Sequence, residues 1–576
     1  GPYVKRTFIS AAAVLAFAAS AHADELGDIQ AQAKQLREQN AAMTKRLADL
    51  EKRQKSLEAQ KAVPTISPVD AMAADLPYKA AVKARPPEND DICIKGICVY
   101  GNFDMGINYQ QHGSPFAGAF AAGANQFMVE KASYGSFFGV AANQMSTSFI
   151  GLRGKQEIGD NLYAVFNLQT LFNPASGVNA NGVGAIAQNN GLGQSPQLGG
   201  GFANSYGDSS KAGVMFNNAA YFGVSSPTYG TFTMGRQSAL SSDLVGNYDA
   251  LSGSNAWSLL TFEGASGGAG DTENRIYDNS YEYRLNVGPV RLAAEAQLRN
   301  GGNSGTNNAF EGNIGFDYMG LSMDFVGGKV YDAVSIGTTL SSAQFATLTT
   351  NQATGLGNAF GGAIGCSLGC MSGTVSDNTV FQIAARYTIG PWKLYGGYEH
   401  VQYENPNSPL APNAFLAGGY NLAFVNNNNY LESKNLNIFW VGVKYAITPT
   451  LDIAGAYYGQ RFGFFTAGAG PGALGNNAFA NVPGGPTTGT AAQQAACAAN
   501  SASLGNCAGG QDMISVAIDW RFARHVDMYA GVAWNQKFGG AANGFMLSTN
   551  NGTLAGAAVH DHVSTFDPGI GLRYQF

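Results

Sequence analysis

The sequence predicts an all-β transmembrane barrel of about 16 antiparallel strands, preceded by an α-helical coiled coil. Three observations lead there. Only 12% of the 576 residues are Asp, Glu, Lys or Arg, while 76 are Gly and 11% are aromatic; soluble domains carry roughly 25% charge. From about residue 92 onward, apolar and polar residues alternate with a period of two, the repeat of a strand with two unlike faces. The alternating runs are joined by short and long connections in strict turn, as in barrels with tight turns at one rim and long loops at the other. After the N-terminus no apolar run approaches the roughly 20 residues of a spanning helix. The net charge of −6 leaves no basic stripe for phosphates, so nucleic acid is not an expected partner.

Residues 1–23 read as an export signal. Lys5 and Arg6 form its charged start, Phe8–Ala19 its apolar stretch and Ala21-His22-Ala23 its cleavage site. Export makes the six cysteines interpretable. They fall into three local pairs, Cys93 with Cys98, Cys366 with Cys370 and Cys497 with Cys507. Structural disulfides are expected, since the spacing lacks neighbouring His and suits zinc poorly.

Residues 24–61 repeat every seven. One seam position reads Leu26, Ala33, Asn40, Leu47, Gln54; the other reads Ile29, Leu36, Met43, Leu50, Leu57. This predicts a coiled coil in which Asn40 and Gln54 fix register, a rod of about 55 Å at the helical rise per residue. Residues 62–91 hold Pro64, Pro68, Pro77, Pro86 and Pro87 and read as a stiff linker. The barrel is expected over 92–576.

The clearest strand is 513–522. Ile514, Val516, Ile518, Trp520 and Phe522 lie on one face, with Met513, Ser515, Ala517, Asp519 and Arg521 on the other. After Ala523-Arg524-His525 the pattern resumes at Val526, which makes a hairpin. Similar runs are expected at 97–109, 145–154, 161–172, 218–225, 230–237, 275–285, 290–300, 309–318, 321–331, 378–387, 392–403, 435–446, 451–463, 526–538 and 567–576.

Three stretches carry a family resemblance. They are Ser148-Phe149-Ile150-Gly151-Leu152-Arg153-Gly154 with Glu157-Ile158-Gly159, then Ala220-Tyr221-Phe222-Gly223 with Tyr229–Gln237, and finally Gly571-Leu572-Arg573-Tyr574-Gln575-Phe576. In this order they resemble the trimeric general porins of Gram-negative bacteria, over about residues 97–576. The resemblance implies a homotrimer in outer-membrane lipid that passes ions and small hydrophilic solutes. It also implies that the third long loop folds inward, and that Phe576 serves as an assembly signal.

That loop is residues 238–274. It contains Asp243, Asp249, Glu263, Asp271 and Glu273 and no Lys or Arg, with Asp243 and Asp249 in its first half. In the family such acids face basic groups on the wall, and the field between them orients solutes. On the wall, the resemblance places Phe149 where arginine is usual, Tyr163 where lysine is common and Asn218 where another arginine stands. Arg153, Arg291, Arg299, Arg386, Lys393, Lys444, Arg521 and Arg573 fall on the lumen-facing phase. Residues 62–576 hold 23 Lys and Arg against 32 Asp and Glu, so a weak cation preference is expected.

No serine carries a nucleophile motif, and His560-Asp561-His562 reads as solvated loop rather than metal site; no catalysis, cofactor or metal is expected. Two other channel readings stay open: a solute-specific pore for sugars or anions, and a mainly structural protein whose rod contacts peptidoglycan. The rod serves either that tether or trimer assembly.

Overall fold

The computed structural model describes residues 92–111, 136–177, 179, 215–261, 276–298, 308–335, 374–404, 433–463, 509–539 and 562–576, with 421–422, 425–426, 549–550, 553–554 and seven positions between 34 and 45. The chain divides into two units, 1–67 and 68–576. In the first, Lys34, Gln35, Arg37, Glu38, Gln39, Ala41 and Lys45 are helical. The expected seam residues Leu36, Asn40, Met43, Leu47, Leu50 and Gln54 lie outside the described residues, as do the signal peptide and the linker up to residue 91.

The second unit is a closed antiparallel barrel of 16 strands. In chain order these are β1 (Ile97–Gln110), β2 in two pieces (Phe137–Ala142 and Ser148–Gly159), β3 (Leu162–Phe172), β4 (Ala219–Ser226), β5 (Gly230–Ser238), β6 (Ile276–Val287), β7 (Val290–Gln297) and β8 (Ala309–Tyr318). There follow β9 (Leu321–Ser335), β10 (Thr374–Ile389), β11 (Trp392–Glu404), β12 (Lys434–Thr448), β13 (Leu451–Phe462), β14 (Gly509–Ala523), β15 (Val526–Gly539) and β16 (His562–Gln575). Each strand pairs with the next, and β16 returns to β1 with Asn102 opposite Gln575 and Asn108 opposite Gly569. Among the described residues, no helix is long and apolar enough to cross a membrane.

Alternation explains the two faces. Along β1, Phe103, Met105 and Ile107 are exposed on the outside, while Asn102, Asp104 and Asn108 are buried on the inside. The outer surface is apolar and the inner one polar, the division found in transmembrane barrels. Near the tight turns the outer wall carries Tyr229, Tyr283, Tyr318, Tyr387, Trp392, Trp520 and Tyr574, all exposed. Such a ring of amphipathic aromatics marks a membrane–water boundary. The tight turns themselves use two or three residues. Met319 and Gly320, for example, take φ of 46° and 86°, the doubly positive pair that matches the strand twist.

Two details depart from the expected strand boundaries. The second strand is interrupted, where a single run at 145–154 was expected. Phe137–Ala142 pairs with the upper half of β1 and Ser148–Gly159 with its lower half. Between them the chain turns inward, with Asn143 at φ 59°. The Asp104 carboxylate accepts hydrogen bonds from the Met145 and Ser146 amides at 2.9 and 2.7 Å. The other addition is a short hairpin ahead of β1, where Ile92–Ile94 folds back and Cys93 bonds Cys98 across the ladder. Cys366, Cys370, Cys497 and Cys507 lie outside the described residues.

Closure ends at Phe576. Its amide donates to the Gly101 carbonyl at 3.1 Å, the Gly101 amide donates to the Phe576 carbonyl at 2.8 Å, and its ring stacks on Phe103. Deleting Phe576 removes both bonds, a loss of about 2 kcal/mol at the usual worth of a hydrogen bond, together with the ring contact. The folded, heat-modifiable band on cold detergent gels is expected to shrink, and an undiminished band would show that the seam closes without this residue.

Candidate functional site

The interior is crossed by the connection between β5 and β6. It opens with α1 (Leu240–Tyr248) and continues through successive turns to a single 3-10 turn at Leu259–Thr261. Its side chains are almost wholly buried, including Leu240, Leu244, Tyr248, Leu251, Trp257 and Leu260. In chain order it touches one wall strand after another. At the helix start the Ser241 amide and hydroxyl donate to the Glu311 carboxylate on β8, at 2.9 and 2.8 Å. A carboxylate there satisfies a free amide and suits the positive end of the helix.

Further along, the Tyr248 hydroxyl donates to Asp324 on β9 at 2.5 Å, and its carbonyl accepts from the Trp440 indole on β12 at 2.9 Å. The Tyr458 hydroxyl of β13 donates to Asp249 at 2.6 Å. Trp257 packs edge-on against Tyr529 of β15. It fits because residue 531 is glycine: a Cβ there would stand 2.7 Å from the indole. Finally, the inward turn of β2 receives the segment. Asn255 donates to the Asn143 carbonyl at 2.8 Å, and the Ala256 amide donates to the Gln144 carbonyl at 2.9 Å. The segment is thus a belt laid around the inner wall from β8 to β2.

Charges on and facing the belt are unequally paired. Asp243, on α1, is in an ion pair with Arg284 of β6, which also binds Glu282. Asp249 is fully buried and holds its own loop, accepting from the Gly253 amide at 2.7 Å. Glu263 lies outside the described residues. On the wall, Arg386 donates to the Asn247 carbonyl at 3.4 Å, and Lys444 sits 3.5 Å from the Ser252 hydroxyl. Lys393 stands directly opposite Lys444 on the neighbouring strand. Among the described residues, none of these three cations is in an ion pair, whereas Arg291, Arg521 and Arg573 bind Asp324, Asp452 and Asp527.

The remaining sequence-selected wall residues lie apart from this group. Phe149 is buried edge-on against Tyr100, and Arg153 lies over the same Tyr100 ring at 4.9 Å. Tyr163 carries Lys155 above its face at 4.2 Å. Asn218, just before β4, donates to the Gln169 side chain. Sequence reasoning did not pick out Glu282, Glu295, Glu311, Trp257, Trp440 or Tyr458. The one available signal was phase, since the three glutamates share the inner face of β6, β7 and β8. Among the described residues, no three His, Cys, Asp or Glu side chains are grouped to hold a metal.

Burial pushes the Asp249 carboxyl above its ordinary value, against the pull of hydrogen bonds from Tyr458, Ser258, Gly253 and Leu251. The seated belt therefore holds that proton more tightly than the released belt, whose carboxyl titrates at about 3.9. The seat is firmest in acid, loosens as pH rises from that value, and levels off above the raised one. Amide exchange over 250–258, corrected for intrinsic rate, is expected to show protection falling through this window. In Asp249→Asn that component is expected to vanish. Protection that rises with pH in the unmodified protein would contradict the assignment.

The fold and this interior can be set beside known proteins. The sequence profile of the Gram-negative porin family matches residues 10–537. An outer membrane porin protein of Bordetella pertussis is 27% identical over 153 residues, which is 27% of this chain and 31% of the relative's length. Among solved structures, an anion-selective porin from Comamonas acidovorans covers 83% of this chain and 99% of its own, at 14% identity and a TM-score of 0.47. The outer membrane channel DcaP of Acinetobacter baumannii covers 84% and 99%, at 12% identity and a TM-score of 0.43. Extending over most of the chain, the family match agrees with the closed 16-strand ring and its polar interior: the protein belongs to the Gram-negative porins, channel proteins of the outer membrane and not enzymes.

Proposed function

We propose that the chain is a passive diffusion channel for ions and small hydrophilic solutes, weakly cation-preferring and working as a homotrimer. The observation that carries this is the belt 239–261. It narrows a closed polar lumen, with Asp243, Glu282, Glu295 and Glu311 at the β6–β8 part of the wall and Arg386, Lys393 and Lys444 on β10–β12. Opposed charges across a constriction align the dipoles of passing solutes and hold net selectivity low. The excess of acids over bases in residues 62–576 tips the balance toward cations. A second reading, an anion-preferring pore, is favoured by Arg386, Lys393 and Lys444 alone, which have no ion-pair partner among the described residues.

Reversal potentials in planar bilayers under a salt gradient separate the two. Stepwise, ohmic currents with modest cation preference are expected. Asp243→Asn removes one of the two acids paired with Arg284 and is expected to lower that preference; neutralising Arg386, Lys393 and Lys444 together is expected to raise it several-fold. Anion preference in the unmodified channel would install the second reading, and sealed proteoliposomes would overturn permeation itself.

For residues 24–61 the reading is a parallel, in-register coiled coil in the periplasm, where Asn40 and Gln54 hydrogen-bond between helices. Three helices delivered near one axis gain from a raised effective concentration. The rod either contacts peptidoglycan or helps trimers assemble. Removing 24–61 is expected to release the porin from pelleted sacculi if it tethers; retention at the full-length level leaves assembly as its role.

A further inference from the structure

Three glutamates lie in one row across adjacent strands. Glu282 of β6 stands directly opposite Glu295 of β7, and Glu295 directly opposite Glu311 of β8. All three are on the inner face and at most 5% exposed. Side chains in directly opposite positions stand roughly 5 Å apart at Cβ, so the row concentrates negative charge in a confined space. Asp243 of α1 adds a fourth carboxylate through its pairing with Arg284.

These groups are not equivalent. Arg284 serves Glu282 and Asp243. Glu311 is occupied by Ser241 and by the Tyr277 hydroxyl at 2.9 Å. Among the described residues, Glu295 has no hydrogen-bond partner on either carboxylate oxygen, and one oxygen of Asp243 is likewise buried and unpartnered. Among the described residues one guanidinium, Arg284, is ion-paired within this group, and a buried carboxylate without a partner is costly. A positively charged hydrogen-bond donor would answer both needs of Glu295.

We infer that Glu295, with Glu282, Glu311 and Asp243 around it, is a binding subsite for an ammonium-type cation between the belt and the wall. An –NH3+ group brings three donors and one charge. It makes charge-assisted bonds at ordinary hydrogen-bond distances to oxygens on separate strands. Calcium suits the place less well, because it gathers six to eight oxygens at about 2.3–2.6 Å, and the described residues offer no grouping that could hold a metal. The subsite would delay a primary amine on its way through the lumen, and to that extent it rests on the channel reading above.

The test uses the full-length protein with butylammonium as probe, tetramethylammonium as a cation without N–H donors, and Ca2+ as a metal. Two readouts run in parallel: current reduction in planar bilayers and titration calorimetry in detergent. Saturable binding of butylammonium is expected by both, with no comparable effect of tetramethylammonium. Glu295→Gln is expected to weaken it at least about tenfold, as for loss of one charge-assisted hydrogen bond. Glu399→Gln, which removes an inner-face carboxylate of β11, is expected to leave it unchanged. Where Glu295→Gln does not fold, Glu295→Asp draws the carboxylate back by one methylene and is expected to weaken binding in the same direction. Equal binding of tetramethylammonium, tighter binding of Ca2+, or butylammonium affinity unaffected by either Glu295 variant overturns the subsite. Absence of current with calorimetric binding intact overturns only the channel reading.

Discussion

A sheet inside a bilayer has no water to satisfy its edges, so the joining of β16 to β1 is the condition on which the rest depends. Closure demands an even number of antiparallel strands and brings Gly101 and Phe576 together at one rim. It also divides every strand into a lipid phase and a lumen phase. Once the ring is shut, each inward polar side chain is committed to the same enclosed space. Any connection that enters that space must satisfy its own polar groups against them.

The belt meets that demand by spreading its bonds. Its carbonyls and amides are received by Trp440, Gln144 and Glu311, and its two acids by Arg284 and Tyr458. Large aromatic side chains do the anchoring where an indole or phenol can be both packed and hydrogen-bonded. Glu311, Trp440 and Arg386 are wall positions whose polar groups serve this neighbouring backbone.

Much of the barrel was legible in the sequence because a period of two leaves little choice once one face must be apolar. The tight turns also encode register. Val287 opposite Val290 dictates that Glu282 faces Glu295, a pairing that could have been read directly from residues 282–295. Placing Glu311 beside them could not, since it depends on the path of 298–308. The interruption of β2 was hidden for another reason. Ala141-Ala142-Asn143-Gln144 is too small and too polar to show alternation, and the turn there is held by Asp104, some forty residues earlier. For Asp249 the sequence offers only an acid in a loop. Whether such a carboxylate meets water or Tyr458 is decided by the route of the belt, which is a tertiary matter.

A barrel wall one sheet thick bends easily, and lipid pressing from one side would flatten it into an oval. The belt changes that mechanics. Fastened at Glu311, Trp440, Tyr458 and the β2 turn, it runs as an inner lining along several wall strands. Flattening the outline would change the spacing of these attachments and load their hydrogen bonds. The outline of the barrel and the path of the belt inside it are therefore tied to one another.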